Sequence, residues 1–247
     1  MASPIVSVFD DQDRLAQRAA GAIVLAAEQA IAERGHFHWA VAGGGTPKRT
    51  YRALALPPYH DGFPWDRFDA WLGDERIVPA DHPASNRRMV LEDLFRPAGA
   101  NPTALHTYDT EGGDPAGAAR AYSGQLEEAL PANPDGVPVL DLVLLGLGAD
   151  THTASWFPGS SFADGDWVAA IDEEHGGHRR LTLTPATVNA ARRILFLVSG
   201  ATKRDALRRV FDEQKDPAAV PAQRVAPTNG QVLWMIDRDA AGQFFAS

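Results

Sequence analysis

Short apolar runs recur along the chain, and each is followed by a polar or glycine-rich stretch and usually by helical spacing. In "HFHWAVAGGGTPKRTYRAL", His36 to Ala42 predicts a strand, Gly43 to Gly45 a tight loop, and Thr46 onward a helix. Thr46 suits an N-cap there, and Pro47 suits the first helical position, where its missing N–H is not needed. "RFDAWLGDERIVP" predicts a second strand with a charged exit, and "SNRRMVLEDLF" a helix. The most apolar run, Leu140 to Leu145, is hydrophobic on both faces, as a central parallel strand covered by helices must be. "RRILFLVSGATKRDALRRVF" gives a strand, a Ser-Gly turn and a basic amphipathic helix, and "GQVLWMIDRDAA" a late strand. Residues 14–33 form an Ala-rich helix before them all. Alternation of this kind predicts an α/β fold with a mostly parallel sheet flanked by helices. The Pro/Gly-bearing stretches near 57–64, 97–102, 112–117 and 131–138 read as surface connections, so residues 1–247 are expected to form a single domain.

Composition narrows the classes of function. A net charge of −9 disfavours nonspecific binding to nucleic acid or anionic membranes, so neither is an expected partner. No apolar run is long enough for a membrane span, and the start lacks the basic and apolar regions of a signal peptide. With no cysteine, disulfides and thiolate metal sites are excluded and a cytoplasmic location is expected. An anionic small substrate would need a local reversal of sign, which directs attention to basic residues beside glycines and strand ends.

Four strand exits carry such residues: Gly43-Gly44-Gly45-Thr46, Asp74-Glu75-Arg76, Asp150-Thr151-His152, and Ser199-Gly200 with Lys203. Ligands of open α/β sheets bind beyond the carboxyl ends of the strands, and parallel strands would bring all four exits to one edge. "GGGTP" lets backbone approach a ligand and offers a helix N-terminus to an anion, although it also serves as an ordinary tight turn. It matches neither the Walker loop nor the GxGxxG pattern. His152 is the candidate for proton transfer near neutral pH. Asp150 either orients its ring or satisfies backbone N–H groups in the turn. Arg76, Arg180 and Lys203 are candidates for holding an anion or stabilising an oxyanion. Lys203 sits where a helix dipole disfavours a cation, which points to a functional reason. Ser155 lies outside any GxSxG elbow. His36 with His38, and His175 with His178, each lack a third ligand in sequence, so no metal site is expected.

Together, "AGGGTPKRTY", "LGDERIVPADHPASNRRM", "LLGLGADTHTASWFPGS", "RRLTLTPATVNAARRILFLVSGATKRDAL" and "PAQRVAPTNGQVLWMID" resemble the 6-phosphogluconolactonase family, within the wider group that includes glucosamine-6-phosphate deaminase. The resemblance runs from about residue 40 to 237. It implies a Rossmann-like fold, no cofactor, and hydrolysis of 6-phospho-D-glucono-1,5-lactone to 6-phospho-D-gluconate, the second step of the oxidative pentose phosphate pathway. The expected partner is thus a small sugar-phosphate lactone. By position, Gly44, Gly45 and Thr46, next to Gly43, would hold the phosphate, with Arg180 and Lys203 as cationic support. His152 would transfer the proton, with Asp74 and Arg76 lining the reaction centre. Ser85 and Asn86 match the family's Ser-Asn, which contacts the sugar or braces the loop. One departure stands out: where the family commonly has Asp-Gly-His, this chain has Asp150-Thr151-His152. A β-branched Thr is strained if that position needs a positive φ.

Two rivals are weighed. An amino-sugar-phosphate deaminase or isomerase would use the same phosphate loop, but deaminases usually carry Tyr at the position of Arg76 and a "HIAFNEP"-like segment in place of "HTASWFPG". A noncatalytic sugar-phosphate sensor would have little need for His152, Asp74 and Arg76.

Overall fold

The computed structural model describes residues 4–212 and 214–245. Among them, ten strands form two sheets. They are β1 (Ile5–Phe9), β2 (Phe37–Val41), β3 (Phe68–Leu72), β4 (Asp74–Arg76), β5 (Leu105–His106), β6 (Leu142–Leu145), β7 (Val168–His175), β8 (His178–Leu183), β9 (Arg193–Val198) and β10 (Gln231–Asp237). Seven of them make a parallel sheet in the order β1-β10-β9-β6-β2-β3-β5. The expected α/β architecture with a mostly parallel sheet is therefore present. β6, buried at every position, lies between β9 and β2, as its two-sided apolar character requires.

The remaining three strands form a small antiparallel sheet, β4-β8-β7, which the hydrophobic pattern does not reveal. The strand expected before "GDER" ends at Leu72, and beyond Gly73 the charged exit is itself a short strand, Asp74 to Arg76, paired with β8 in the second sheet.

The first helix, α1 (Gln12–Arg34), is longer than the expected 14–33. Asp11 caps its start by accepting from Arg14 N at 2.7 Å, and Gly35 ends it with φ +80°. Its buried face is built from Leu15, Ala19, Ala20, Ile23, Ala26, Ala27 and Ala30, where small side chains allow close approach to the sheet. The second helix, α2, runs from Gly45 to Leu54. Its N-cap is Gly44, not Thr46. Gly44 has φ +103°, a conformation that favours glycine, so the chain turns into the helix two residues earlier than Thr46 would cap it. Tyr51, buried on α2, donates its hydroxyl to Ala42 O at 2.8 Å and accepts from Ala42 N at 2.9 Å. This clamps the helix to the end of β2. No helix among the described residues is long and apolar enough to cross a membrane.

Candidate active site

Along the chain, β3 and β5 are added on one side of β2, whereas β6, β9 and β10 extend the sheet the other way. The point of reversal lies between β2 and β6. A crevice opens at such a switch point beyond the carboxyl ends of the strands. The exits of β9, β6, β2 and β3, neighbours in the sheet, all reach it. They line one cavity of about 480 Å³ with Gly43, Gly44, Gly45, Thr46, Asp74, Arg76, Asn86, Asp150, His152, Arg180, Ser199 and Lys203. The expected convergence of four exits is observed. Of the residues singled out in sequence, Ser85, Glu75 and Thr151, all buried, do not line it.

The floor of one end is the start of α2. The first N–H groups of a helix have no intrahelical acceptor, so Gly45 and Thr46 present donors and a positive dipole end to the cavity. Thr46 Oγ1 and Ser199 Oγ are hydrogen-bonded at 2.7 Å, joining the exits of β2 and β9 around that of β6. Gly43 is required by crowding: a Cβ there would lie 2.0 Å from Asn86 Oδ1. Lys203 follows in a 3₁₀ turn, Ala201–Lys203, just before the helix Arg204–Phe211. Burial pushes its ammonium below the usual lysine range, and Asp150 pulls it partly back.

The small sheet forms the facing wall, and the pleat of β4 resolves the three consecutive charges of "GDER". Asp74 and Arg76 turn toward the cavity, while Glu75 turns inward and is 2% exposed. Glu75 accepts four hydrogen bonds: from Arg76 N at 2.8 Å, Asn86 N at 2.7 Å, Arg87 N at 2.7 Å and Ser85 Oγ at 3.1 Å. Burial raises its pKa, and the backbone donors oppose that rise. Ser85 also caps the following helix, Asn86–Val90, through Arg88 N. It therefore braces the loop.

Asp74 is held at both oxygens, by Ser155 Oγ at 2.7 Å and by Asn86 Nδ2 at 3.3 Å. Ser155 is a site residue that sequence reasoning missed, because it was weighed only as a nucleophile. Its signal was its place in "HTASWFPG", three residues after His152. Arg76 donates from Nη1 to Ala84 O at 2.7 Å, and its buried Nε has no partner among the described residues. Arg180, opposite Arg76 in the register, spends Nη1 and Nη2 on the carbonyls of His178 and His175, each at 2.6 Å. It thus closes the β7–β8 hairpin while its charge faces the cavity. Burial and the neighbouring Arg76 lower its pKa, but a guanidinium stays protonated.

His152 lies in the loop after β6. Its Nδ1 donates to Asp150 Oδ1 at 2.5 Å, and its backbone N donates to the same oxygen at 3.2 Å. Asp150 thus does both jobs left open by the sequence: it orients the ring and satisfies a turn N–H. Burial alone would raise the Asp150 carboxyl, but the charge and hydrogen bonds of His152 outweigh it and hold it below the usual carboxylate range. With Nδ1 carrying the proton, Nε2 is the basic nitrogen. Phe157 packs on the His152 ring at 5.0 Å and stacks on His175 at 3.4 Å, fixing the aromatic end of the cavity. Thr151 has φ +76° and is fully buried, so the left-handed turn exists and the Thr adopts it under strain. Its N bonds to Gly148 O at 3.0 Å and its carbonyl accepts from Ala222 N at 3.2 Å. Gly148 must be glycine, since a Cβ would lie 2.1 Å from His152 Nδ1.

The arrangement combines an anion cradle, an oriented imidazole and a pair of guanidinium groups around a space of small-molecule size. The chain is similar to known proteins over nearly its whole length. A family model described as Glucosamine-6-phosphate isomerases/6-phosphogluconolactonase matches residues 10–234. The 6-phosphogluconolactonase of Synechocystis sp. is 36% identical over 239 residues, covering 96% of this chain and 97% of its own. That of Nostoc sp. is 35% identical over 239 residues, covering the same 96% and 97%. The solved structure of 6-phosphogluconolactonase from Trypanosoma brucei superimposes with a TM-score of 0.84 at 30% identity, covering 98% of each chain. With sequence and structure matched over nearly their whole length, the chain belongs to the glucosamine-6-phosphate isomerase/6-phosphogluconolactonase family.

Proposed function

We propose that this protein hydrolyses 6-phospho-D-glucono-1,5-lactone to 6-phospho-D-gluconate, with the whole chain acting as one domain. The observation that carries the reading is the presence of the α2 cradle and the His152–Asp150 pair in one cavity. The phosphate binds the N–H groups of Gly45 and Thr46, beside Gly43 and Gly44, with Lys203 supplying charge. That remote anchor orients the ring, so binding energy from the phosphate is converted into reaction at the carbonyl.

His152 Nε2 takes a proton from water as the water oxygen attacks the lactone carbonyl. The carbonyl oxygen becomes an oxyanion, which Arg76 stabilises from its unpartnered Nε or its remaining N–H groups, with Arg180 adding charge. The tetrahedral carbon then expels the ring oxygen, and His152 returns the proton to it. The products are the open-chain hydroxyl and a carboxylic acid, which ionises to solvent. Asp150 keeps Nδ1 protonated throughout, and Asp74, fixed by Ser155 and Asn86, holds the charge balance beside Arg76. The cysteine-free composition supports a reducing, cytoplasmic setting.

The test is a hydrolysis assay on freshly generated 6-phosphogluconolactone with spontaneous hydrolysis subtracted. Wild type should exceed background, and His152→Ala should lower kcat by about 10²–10⁴-fold with KM little changed. A wild-type rate at background, with ammonia released from glucosamine 6-phosphate, would assign the deaminase reaction instead. Equal rates for wild type and variant would remove His152 from the chemistry.

A further inference from the structure

At the opposite rim of the sheet, where the strands begin, three histidines surround one carboxylate. His38 is on β2 and His36 immediately precedes it, two residues away, and their ring centroids are 4.7 Å apart. The parallel register places Asp69 of β3 directly beside His38, and Trp71 beside His106 of β5. All four groups therefore stand on the same face. His36 Nε2 lies 2.9 Å from Asp69 Oδ2, His38 Nδ1 lies 3.6 Å from the same oxygen, and His106 Nε2 lies 3.2 Å from Oδ1. His36 and His38 lacked a third ligand in sequence because Asp69 lies thirty-one positions beyond His38 and is brought in only by the register.

We propose that His36 Nε2, His38 Nδ1 and Asp69 Oδ2 form a binding site for a divalent transition-metal ion of the Zn²⁺ class. The donor atoms fit that ion in kind and spacing. Imidazole nitrogen and carboxylate oxygen are its usual nonsulfur ligands, at about 2.0–2.2 Å, so two ligands of a tetrahedral site lie about 3.3–3.5 Å apart. The His38–Asp69 separation is close to that value and too long for a hydrogen bond. Consistently, His38 Nδ1 is buried and has no hydrogen-bond partner among the described residues. His36 would open from Asp69 by about half an ångström to reach the same spacing. It stands half-buried just before the strand, with room to do so. All three donors already lie within 4.8 Å of one another.

The surroundings resemble the outer shell of a metal centre. His106 holds the second oxygen of Asp69, which leaves Oδ2 as a single-oxygen ligand. The His106 ring is itself stacked on Trp71 at 3.7 Å with only 5° between planes. His38 is fixed through its backbone N, which donates to Asp141 Oδ2 at 2.9 Å. Asp141 is in turn held by Arg34 Nε at 2.8 Å. The ion would tie β2 to β3 near the sheet edge. At about 3.3 Å per residue, the five residues from His38 to Gly43 put it roughly 16 Å from the phosphate cradle. It would therefore stabilise the fold without entering the hydrolytic site, and the inference stands apart from the proposed reaction.

The test uses the full chain, stripped with a chelator and dialysed, titrated with Zn²⁺ by calorimetry and with Co²⁺ by its visible absorption. Wild type should bind one equivalent at this site, and a hundredfold excess over Kd should raise Tm by about 5–10 °C. His38→Ala and His36→Ala should each weaken binding at least a hundredfold. His106→Ala should weaken it about tenfold as a positioning residue, and His106→Gln, which keeps a donor, should recover part. His152→Ala should leave binding intact. Because His36 is only half-buried and lies outside the strand, His36→Ala decides the matter even if His38→Ala fails to fold. Absence of saturable binding by either ion would overturn the proposal and leave a metal-free His–Asp network. So would binding that survives His36→Ala or is lost in His152→Ala.

Discussion

The two walls of the cavity are built differently. The wall at the α2 end belongs to the parallel sheet and offers mostly backbone: glycines, helix N–H groups and two small hydroxyls held together at 2.7 Å. The facing wall belongs to the three-stranded sheet and offers charged side chains, Asp74, Arg76 and Arg180, each already tied to protein groups. A backbone wall needs only correct chain direction, which buried strands fix. A charged wall needs partners for every group it buries, because an unpaired polar group in low dielectric is costly. The charged wall therefore depends on a few hydrogen bonds, whereas the backbone wall depends on the core.

Glu75 is where that dependence is most concentrated. Glu75→Ala removes the acceptor of four donors at once, and two of these begin the helix Asn86–Val90. Stability should fall by about 3 kcal/mol or more. For a chain of this size that is roughly 6–12 °C in Tm, read by calorimetry or circular dichroism. Glu75→Gln, with one acceptor oxygen left, should lose less. A variant melting with wild type would mean the charged wall does not rest on this residue.

The same contrast governs what could be read from sequence. Strands β2, β6, β9 and β10 announce themselves by apolar runs because they are covered on both faces. β5 has two residues, and β7 ends in "DEEH", so neither carries a periodic signal. The three-stranded sheet is invisible for that reason, although its charged residues stand out in the sequence. Of "GDER", the pleat turns Asp74 and Arg76 toward the cavity and Glu75 away from it, and only pairing with β8 sets which faces inward. Ser85 went with Glu75, behind the wall. The cap of α2 moved from Thr46 to Gly44 because a positive φ at glycine is not legible in composition. In the third-ligand question at His36 and His38, register rather than spacing supplies the missing group.

A smaller effect separates binding from folding at Lys203. Because its folded pKa lies below the ordinary lysine value, the unfolded chain holds more protons in the window between them. Stability should therefore rise with pH across that window as the buried charge is relieved. Binding of an anion runs the other way: the charge that holds it disappears as pH rises through the lowered value. Product inhibition by 6-phosphogluconate should weaken by about tenfold on the alkaline side, a change of ~1.4 kcal/mol. Lys203→Arg should keep inhibition flat over the same range. A wild-type inhibition constant independent of pH there would take Lys203 out of the phosphate site.

Thr151 offers the finest test, since it touches neither wall and acts only through the turn that carries His152. Its left-handed backbone costs a non-glycine residue about 1–2 kcal/mol. Thr151→Gly removes that strain but gives up two buried carbons, Cβ and the methyl, worth together about 1.6 kcal/mol. It also adds about 0.4–1 kcal/mol of backbone freedom to the unfolded chain. The hydroxyl contact to Ala219 O is long, at 3.5 Å, and its loss adds little. The losses slightly outweigh the relief, so denaturant unfolding should place the variant about 0–1.6 kcal/mol below wild type. The Asp150–His152 bond does not involve the Thr side chain, so kcat should stay within about twofold. A loss above about 2 kcal/mol would show that the buried side chain, not the backbone angle, governs this turn. A tenfold fall in kcat with unchanged stability would instead mean that the Thr aims His152, and that the family's glycine and this chain's Thr reach the lactone by different geometries.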